Sequence, residues 1–145
     1  MERKDIYIEH WDEETGTATV TCKGKYRDYV GVAHVHPDDN DMKSELVGIQ
    51  IAEYRLQIEI LKDYIHSELE PGLAALKQLY FSMKHSSQFS PRSYEAKMLY
   101  KQIKLKEEDI ADAKELLGNV KSCLKHYIDI KEKNYQTIRK KRNNK

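Results

Sequence analysis

The residues best suited to chemistry crowd into one stretch of the chain. Between Phe81 and Lys104 lie Phe81, Lys84, His85, Phe89, Arg92, Tyr94, Lys97, Tyr100, Lys101 and Lys104, and both of the chain's Phe residues fall here. Aromatic rings and an Arg plane stack on nucleobases, and Lys neutralises phosphate. Tyr94, Lys97, Lys101 and Lys104 recur at steps of three and four, so they share one face near the start of a helix. Free N–H groups and the helix dipole attract phosphate at such a start. Aromatics mixed with cations therefore suit a ligand with both a base and a phosphate. The plainer alternative is a solvated helix face with two Phe rings closing a loop. Residue types alone leave both open.

The other constellations are weaker. His34 and His36 stand two apart on a strand, hence on one face, and Asp38, Asp39 and Asp41 follow. A metal site could be drawn from these, but no third histidine sits at a recognised spacing, and Asp-rich turns commonly cap helices. Turn and capping chemistry is the reading we adopt. The chain has no G-x-S-x-G, no Walker loop, no H-E-x-x-H and no C-x-x-C. Cys123 stands one step from Leu124 on an apolar seam and reads as packed rather than nucleophilic. Glu107-Glu108 reads as ordinary helix surface charge. Nothing here encodes catalysis, and no metal or cofactor is called for.

These side chains need elements to hold them. A chain of 145 residues fits one domain, and 34% charged against 39% hydrophobic residues is too polar for a thick globule. Its 10 Tyr and many Leu and Ile argue equally against disorder. Elongated helices with narrow apolar seams satisfy both facts. Residues 1–40 read as a β-meander: Asp5 to Trp11, Thr17 to Cys22 and Tyr26 to Val35, separated by Glu13–Gly16 and Gly24-Lys25 turns, with Gly31 the place for a bulge. His36 to Asp41 ends the sheet, Pro37 because it cannot donate to a ladder, and Asp41 serves as the next N-cap.

From Met42 the period turns helical. Val47, Ile51, Tyr54, Ile58, Leu61 and Ile65 form one stripe, and Leu46, Ile49, Leu56 and Ile60 an adjoining one. Pro71-Gly72 breaks or kinks this helix after Glu70, and Leu73, Leu76, Leu79 and Met83 resume the period to about His85. Ser86 to Ser90 is a loop. Ser90-Pro91 signals the next helix, with Ser90 as N-cap and Pro91 at the first helical position. Leu99, Ile103, Lys106, Ile110, Ala113, Leu117, Val120, Leu124 and Tyr127 then follow a 3-4 repeat broken only by Lys106. This helix runs from Ser93 to about Thr137, roughly 65–70 Å, and a two-position seam of that length must lie against another helix.

The fold class is thus α+β: a small N-terminal antiparallel β-sheet followed by a long antiparallel α-helical hairpin. The hairpin spans 41–137 with its loop near 86–91, residues 138–145 form a basic disordered tail, and a second copy packs alongside. Lys and Arg number 25 against 24 Asp and Glu, a net charge of +1, so bulk charge offers no case for nucleic acid. Cys22 and Cys123 read as reduced thiols. The opening MERKDIYIEHWDEE is too charged for a signal peptide, and no apolar run approaches the ~20 residues of a membrane span. The expected setting is the cytoplasm.

Several strings occur together: G-K-Y-R-D-Y-V-G-V-A-H-V-H-P-D-D at 24–39, G-I-Q-I-A-E-Y-R at 48–55, L-K-Q-L-Y at 76–80 and S-Y-E-A-K-M-L-Y-K-Q-I-K at 93–104. In this order they resemble a phage immune-evasion family, the first described class of Thoeris anti-defence proteins, over roughly residues 20 to 130. The resemblance implies a non-catalytic sponge that binds glycocyclic ADP-ribose-type signals made by Thoeris TIR proteins and releases them intact on denaturation. Some members also hold cyclic di- or trinucleotides of CBASS immunity at a separate site. It further implies dimers, or hexamers built from dimers, with ligand sites between subunits, acting in the host bacterial cytoplasm. The family's pocket uses aromatic and Arg side chains near the start of the last helix. Carried onto this chain, Phe81, Phe89 and Tyr94 stack on adenine, Arg92, Lys97, Lys101 and Lys104 meet phosphates, and Ser90 lends a hydroxyl or its helix-start amides. This chain departs from that pattern: residues 94–104 contain no Arg, and Lys keeps the charge but loses the bidentate fork. The alternative is a helical-hairpin assembly protein of a phage with no small ligand.

Overall fold

The computed structural model describes residues 7–24, 26–34 and 45–143, with side chains as far as Lys133. It is an α+β fold. Strands β1 (Tyr7–Asp12), β2 (Thr17–Lys23) and β3 (Asp28–His34) form an antiparallel sheet in the order β1-β2-β3. Helix α1 (Glu45–Tyr64) leads through a π-helical turn (Ile65–Leu69) into α2 (Glu70–Lys84), and α3 covers Tyr94–Asn143. The chain divides into two compact units, one of residues up to Ile60 with those from Gly118 onward, the other Leu61–Leu117.

In the first unit the sheet follows from alternation. Ala18, Val20 and Cys22 of β2 point to one side and are buried, while the threonines between them face outward. The β1–β2 turn needs a left-handed residue, and Gly16 supplies it at φ 66°. Asp12 Oδ1 fixes that turn by accepting the N–H groups of Glu14 (3.0 Å) and Thr15 (3.4 Å). Helix α1 closes the core with residues at steps of four, the small Gly48 and Ala52 and then Leu56. Ala18, Val20, Cys22, Ala33, Ala52 and Leu56 form the buried cluster, flanked by Trp11, Tyr29, Ile49, Ile51 and Ile60.

Gly31 is not a bulge. The β2–β3 register runs unbroken from Thr17↔His34 to Lys23↔Asp28, with Val20 opposite Gly31. A Cβ at Gly31 would lie 2.7 Å from the Leu56 backbone nitrogen and press on the Ala52 carbonyl oxygen. The glycine is there because helix backbone rests directly on strand backbone. Arg55 ties the same two elements by donating from Nη1 to the Val32 carbonyl at 2.7 Å. Leu46, expected on the second apolar stripe, is 82% exposed. Tiny residues carry the sheet-facing side of α1, so the large ones need not all face inward.

Glu53 on α1 meets Glu9 on β1. Burial raises the Glu53 carboxyl above its ordinary value, and the hydrogen bond that protonated Glu53 donates to the Glu9 carboxylate, together with the Glu9 charge, pushes the same way. A raised carboxyl pKa means the folded state holds the proton more tightly than the unfolded chain. Its contribution is therefore complete below the unfolded value and is lost as pH rises through the folded one. Glu53→Gln should accordingly melt higher than the parent at pH 7 and show a shrinking advantage toward pH 4, measured by paired thermal melts.

The second unit begins with a departure from expectation. Pro71-Gly72 does not break the helix. Pro71 lacks the N–H that would bond the Ser67 carbonyl, and its ring would crowd that oxygen. The chain widens by one residue just before it: the Glu70 N–H reaches the Ile65 carbonyl, five residues back, and Pro71 falls in the first turn of α2. Ile65 and Leu69 of this wide turn, with Ile110 and Ala113 of α3, form a second buried cluster that Leu73 and Leu117 flank.

The α3 seam matches the 3-4 repeat. Leu99, Ile103, Ile110 and Ala113 are buried, joined by Ala96, and Lys106, Leu117, Val120, Leu124 and Tyr127 are half-buried. Lys106 keeps its place through its stem: its Cε would stand 3.6 Å from a Cβ built on Gly72, so the methylenes lie over that glycine. Cys123, expected as packed, is exposed, and Cys22 is the buried thiol. A helix step of one residue turns by about 100°, which carries Cys123 off the Leu124 face. Helical backbone continues to Asn143, so residues 138–143 are not the disordered tail expected of them. His36, Pro37, Asp38, Asp39, Asp41, Asn144 and Lys145 lie outside the described residues. Among the described residues, no helix is long and apolar enough to cross a membrane.

Candidate functional site

The site expected from sequence lies where α2 ends and α3 begins, within the second unit. Helix α2 closes on its own carbonyls: the His85 N–H reaches the Phe81 oxygen (3.3 Å) and the Ser86 N–H the Met83 oxygen (3.0 Å). A second turn follows, in which the Ser93 N–H donates to the Ser90 carbonyl (3.0 Å) and the Arg92 N–H to Ser90 Oγ (3.3 Å). Pro91, with its fixed φ, suits the second position of that turn. The helix cap is therefore Ser93 rather than Ser90. Ser93 Oγ accepts the Ala96 N–H at 3.2 Å, and its carbonyl takes the Lys97 N–H at 3.1 Å. Ser90 is held in the turn that contains Pro91, which leaves the cap to Ser93, directly before the first helical residue.

The aromatic rings sort into two groups. Tyr80 meets Phe89 edge-on at 6.0 Å and Tyr100 in a tilted arrangement at 6.4 Å, which staples the loop between the helices. Phe81, one residue on, is 61% exposed and has its edge contact with His85 at 4.3 Å. The structure thus joins Phe89 to Tyr80 and leaves Phe81 in a separate contact. Tyr80 is the residue that sequence reasoning passed over. Its spacing from Leu76 and Met83 marked it as the inward-facing ring of the Tyr80-Phe81 pair.

The cations divide in the same way. Lys104 stands 5.3 Å above the Tyr100 ring and 3.8 Å from Glu107, so its charge is already shared. Arg92, Lys97 and Lys101 are exposed, and Tyr94 beside them is 73% exposed. Among the described residues no ion pair engages Lys97 or Lys101. They are one turn apart, a rise of about 6 Å, on the face that also carries Tyr94. Of the eight residues expected at the site, Phe89 and Ser90 help close the loop, and Lys104 is engaged by Tyr100 and Glu107 of its own helix. Phe81, Arg92, Tyr94, Lys97 and Lys101 are presented to solvent.

That presentation costs the helix something. Cations near a helix N-terminus oppose the dipole, and like charges four apart repel by about 0.2–0.5 kcal/mol. An anion would relieve both, and an exposed ring gives a base a surface to stack on. Elsewhere, His34 Nδ1 and Thr17 Oγ1 share a cross-strand hydrogen bond of 3.0 Å. Among the described residues, no three His, Cys, Asp or Glu side chains cluster as a metal site would require. Set against protein-family models, curated proteins and solved structures, the chain matches none of them.

Proposed function

We propose that the protein binds a cyclic nucleotide immune signal of the glycocyclic ADP-ribose type and holds it intact, as a phage sponge in the host cytoplasm. The observation that supports this reading is the exposed Tyr94 ring sharing a helix face with Lys97 and Lys101, with Arg92 just ahead of it. The ring would stack on adenine and the three cations would meet phosphate. No catalytic step is required. A sponge works by mass action: held in excess, with affinity above that of the effector, it keeps free signal below threshold. Nanomolar binding corresponds to about −12 kcal/mol, and a small ligand reaches it only in an enclosed, preorganised site. Cyclic di- or trinucleotides offer the same base and phosphate chemistry.

A second reading, a helical assembly protein without a small ligand, is favoured by one observation. Helix α2 has no buried residue along its fifteen positions, and its Leu79 is 55% exposed. One experiment separates the two. The purified protein is incubated with extract from cells whose Thoeris or CBASS system has been triggered, washed on a filter and heat-denatured, and released nucleotides are identified by mass spectrometry. An intact cyclic species is the result expected. If none is retained from an extract that activates an effector, the assembly reading replaces the sponge.

The residues follow from the same assay. Arg92→Glu and Lys97→Glu should each reduce retention at least about tenfold, since reversing a charge against phosphate loses one attraction and adds a repulsion. Both side chains are exposed, so circular dichroism should be unchanged. Full retention in both variants would move the ligand away from this face.

A further inference from the structure

The near-even charge count of the whole chain conceals a steep local imbalance. Residues 131–145 hold seven Lys and Arg against one acidic residue, whereas residues 1–130 hold eighteen against twenty-three. Four of the seven, Arg139, Lys140, Lys141 and Arg142, are consecutive. On a disordered tail such a run would do no more than keep the chain in solution. The backbone is instead helical through Asn143, so the four occupy a single turn of α3.

Each helical residue advances by about 100°, so positions 139–142 cover about 300° of the circumference within a rise of about 4.5 Å. They make a collar of charge rather than a stripe. Positions 139 and 142 fall on one side of the helix, and 140 and 141 on the other. The helix end itself needs little of this, because its dipole leaves only about half a negative charge there, which one cation offsets. The remaining like charges repel one another.

The collar also discriminates between anionic surfaces. A bilayer meets one side of a helix and holds it through an apolar face in the same turns. Residues 139–145 contain no apolar side chain. The major groove of DNA is about 12 Å wide, admits a helix about 10–12 Å across, and has phosphates along both walls. Cations on opposite sides of one turn can then all approach phosphate and release its counterions.

We infer that the last turn of α3 is a binding site for duplex DNA, engaged through its phosphates and without reading its bases. Arg139 and Arg142 serve one wall of the groove, and Lys140 and Lys141 the other. The site is separate from the tip where α2 meets α3, and it needs no cyclic ligand.

The test is fluorescence anisotropy of a labelled mixed-sequence duplex of about two helical turns, titrated with the full chain. Four phosphate contacts predict that log affinity falls against log salt with a slope of about −3.6, or about a hundredfold between 50 and 200 mM. Lys140→Gln with Lys141→Gln should halve that slope, and Gln at all four positions should abolish binding at the lower salt. Gln is a good helix former, so circular dichroism should not change. Arg139→Lys with Arg142→Lys keeps the charge and should keep most of the affinity, since no base is recognised through the guanidinium fork. A parent that does not bind at the lower salt overturns the inference. So does a slope that the four-Gln variant leaves unchanged, which would put the contacts elsewhere on the chain. A single strand that competes as well as the duplex removes the groove. Tighter binding to phosphatidylglycerol vesicles than to the duplex would replace DNA with a membrane surface.

Discussion

Gly31→Ala should be among the most damaging single-atom additions available to this protein. The new methyl meets the Leu56 backbone nitrogen at 2.7 Å and the Ala52 carbonyl, and neither can swing aside as a side-chain tip could. Overpacking a core commonly costs about 1–3 kcal/mol, and a clash against helix backbone belongs at or above the top of that range. Since domains of this size hold a margin of only about 5–15 kcal/mol, the melting temperature should fall by many degrees. Denaturant midpoints for the parent and variant measure it. Gly118→Ala is the control: it is also a glycine-to-alanine change, but nothing lies within 4 Å of the added Cβ. In a helix interior that substitution should stabilise by roughly 0.5–1 kcal/mol. Equal effects at the two glycines would remove the direct contact between α1 and β3.

The second large effect belongs to the other unit. Leu69 is 3% exposed in the wide turn and packs with Ile65, Ile110 and Ala113. Leu69→Asp would place a carboxylate there without a partner, a change in the class that costs more than about 4 kcal/mol. Hydrogen exchange should show protection lost across Leu61–Leu117. Leu69→Ala, losing about 2–5 kcal/mol through transfer and cavity terms, should give a weaker form of the same pattern. Retained protection in the Asp variant would mean that α3 does not cover this turn.

What the sequence revealed and what it hid have a common cause. Thr17–Lys23 was readable from its alternating threonines and the 3-4 repeat of α3 from its large apolar residues, and the register and seam agree. The face of α1 that meets the sheet was harder to read. Gly48 and Ala52 look neutral in a count of hydrophobic residues, yet their lack of bulk lets helix and sheet approach. The wide turn was hidden for a related reason. Pro71 announces a disturbance in the hydrogen-bond ladder, but not whether the chain answers with a break or with one extra residue. At the candidate site, exposure of Arg92, Tyr94, Lys97 and Lys101 followed from their spacing away from the seam. The pairing of Tyr80 with Phe89 and Tyr100 spans the loop and no local pattern records it, whereas Phe81 meets His85, and Lys104 meets Tyr100, at a spacing of four along the chain.

The placement of the two thiols supplies a clock. Cys123 is open to reagent in the folded protein, while Cys22 lies 5% exposed between the sheet and α1. A maleimide dye should therefore add once quickly and a second time only when that core opens. The interval between the two mass increments then reports how often sheet and helix part, under native conditions and without denaturant.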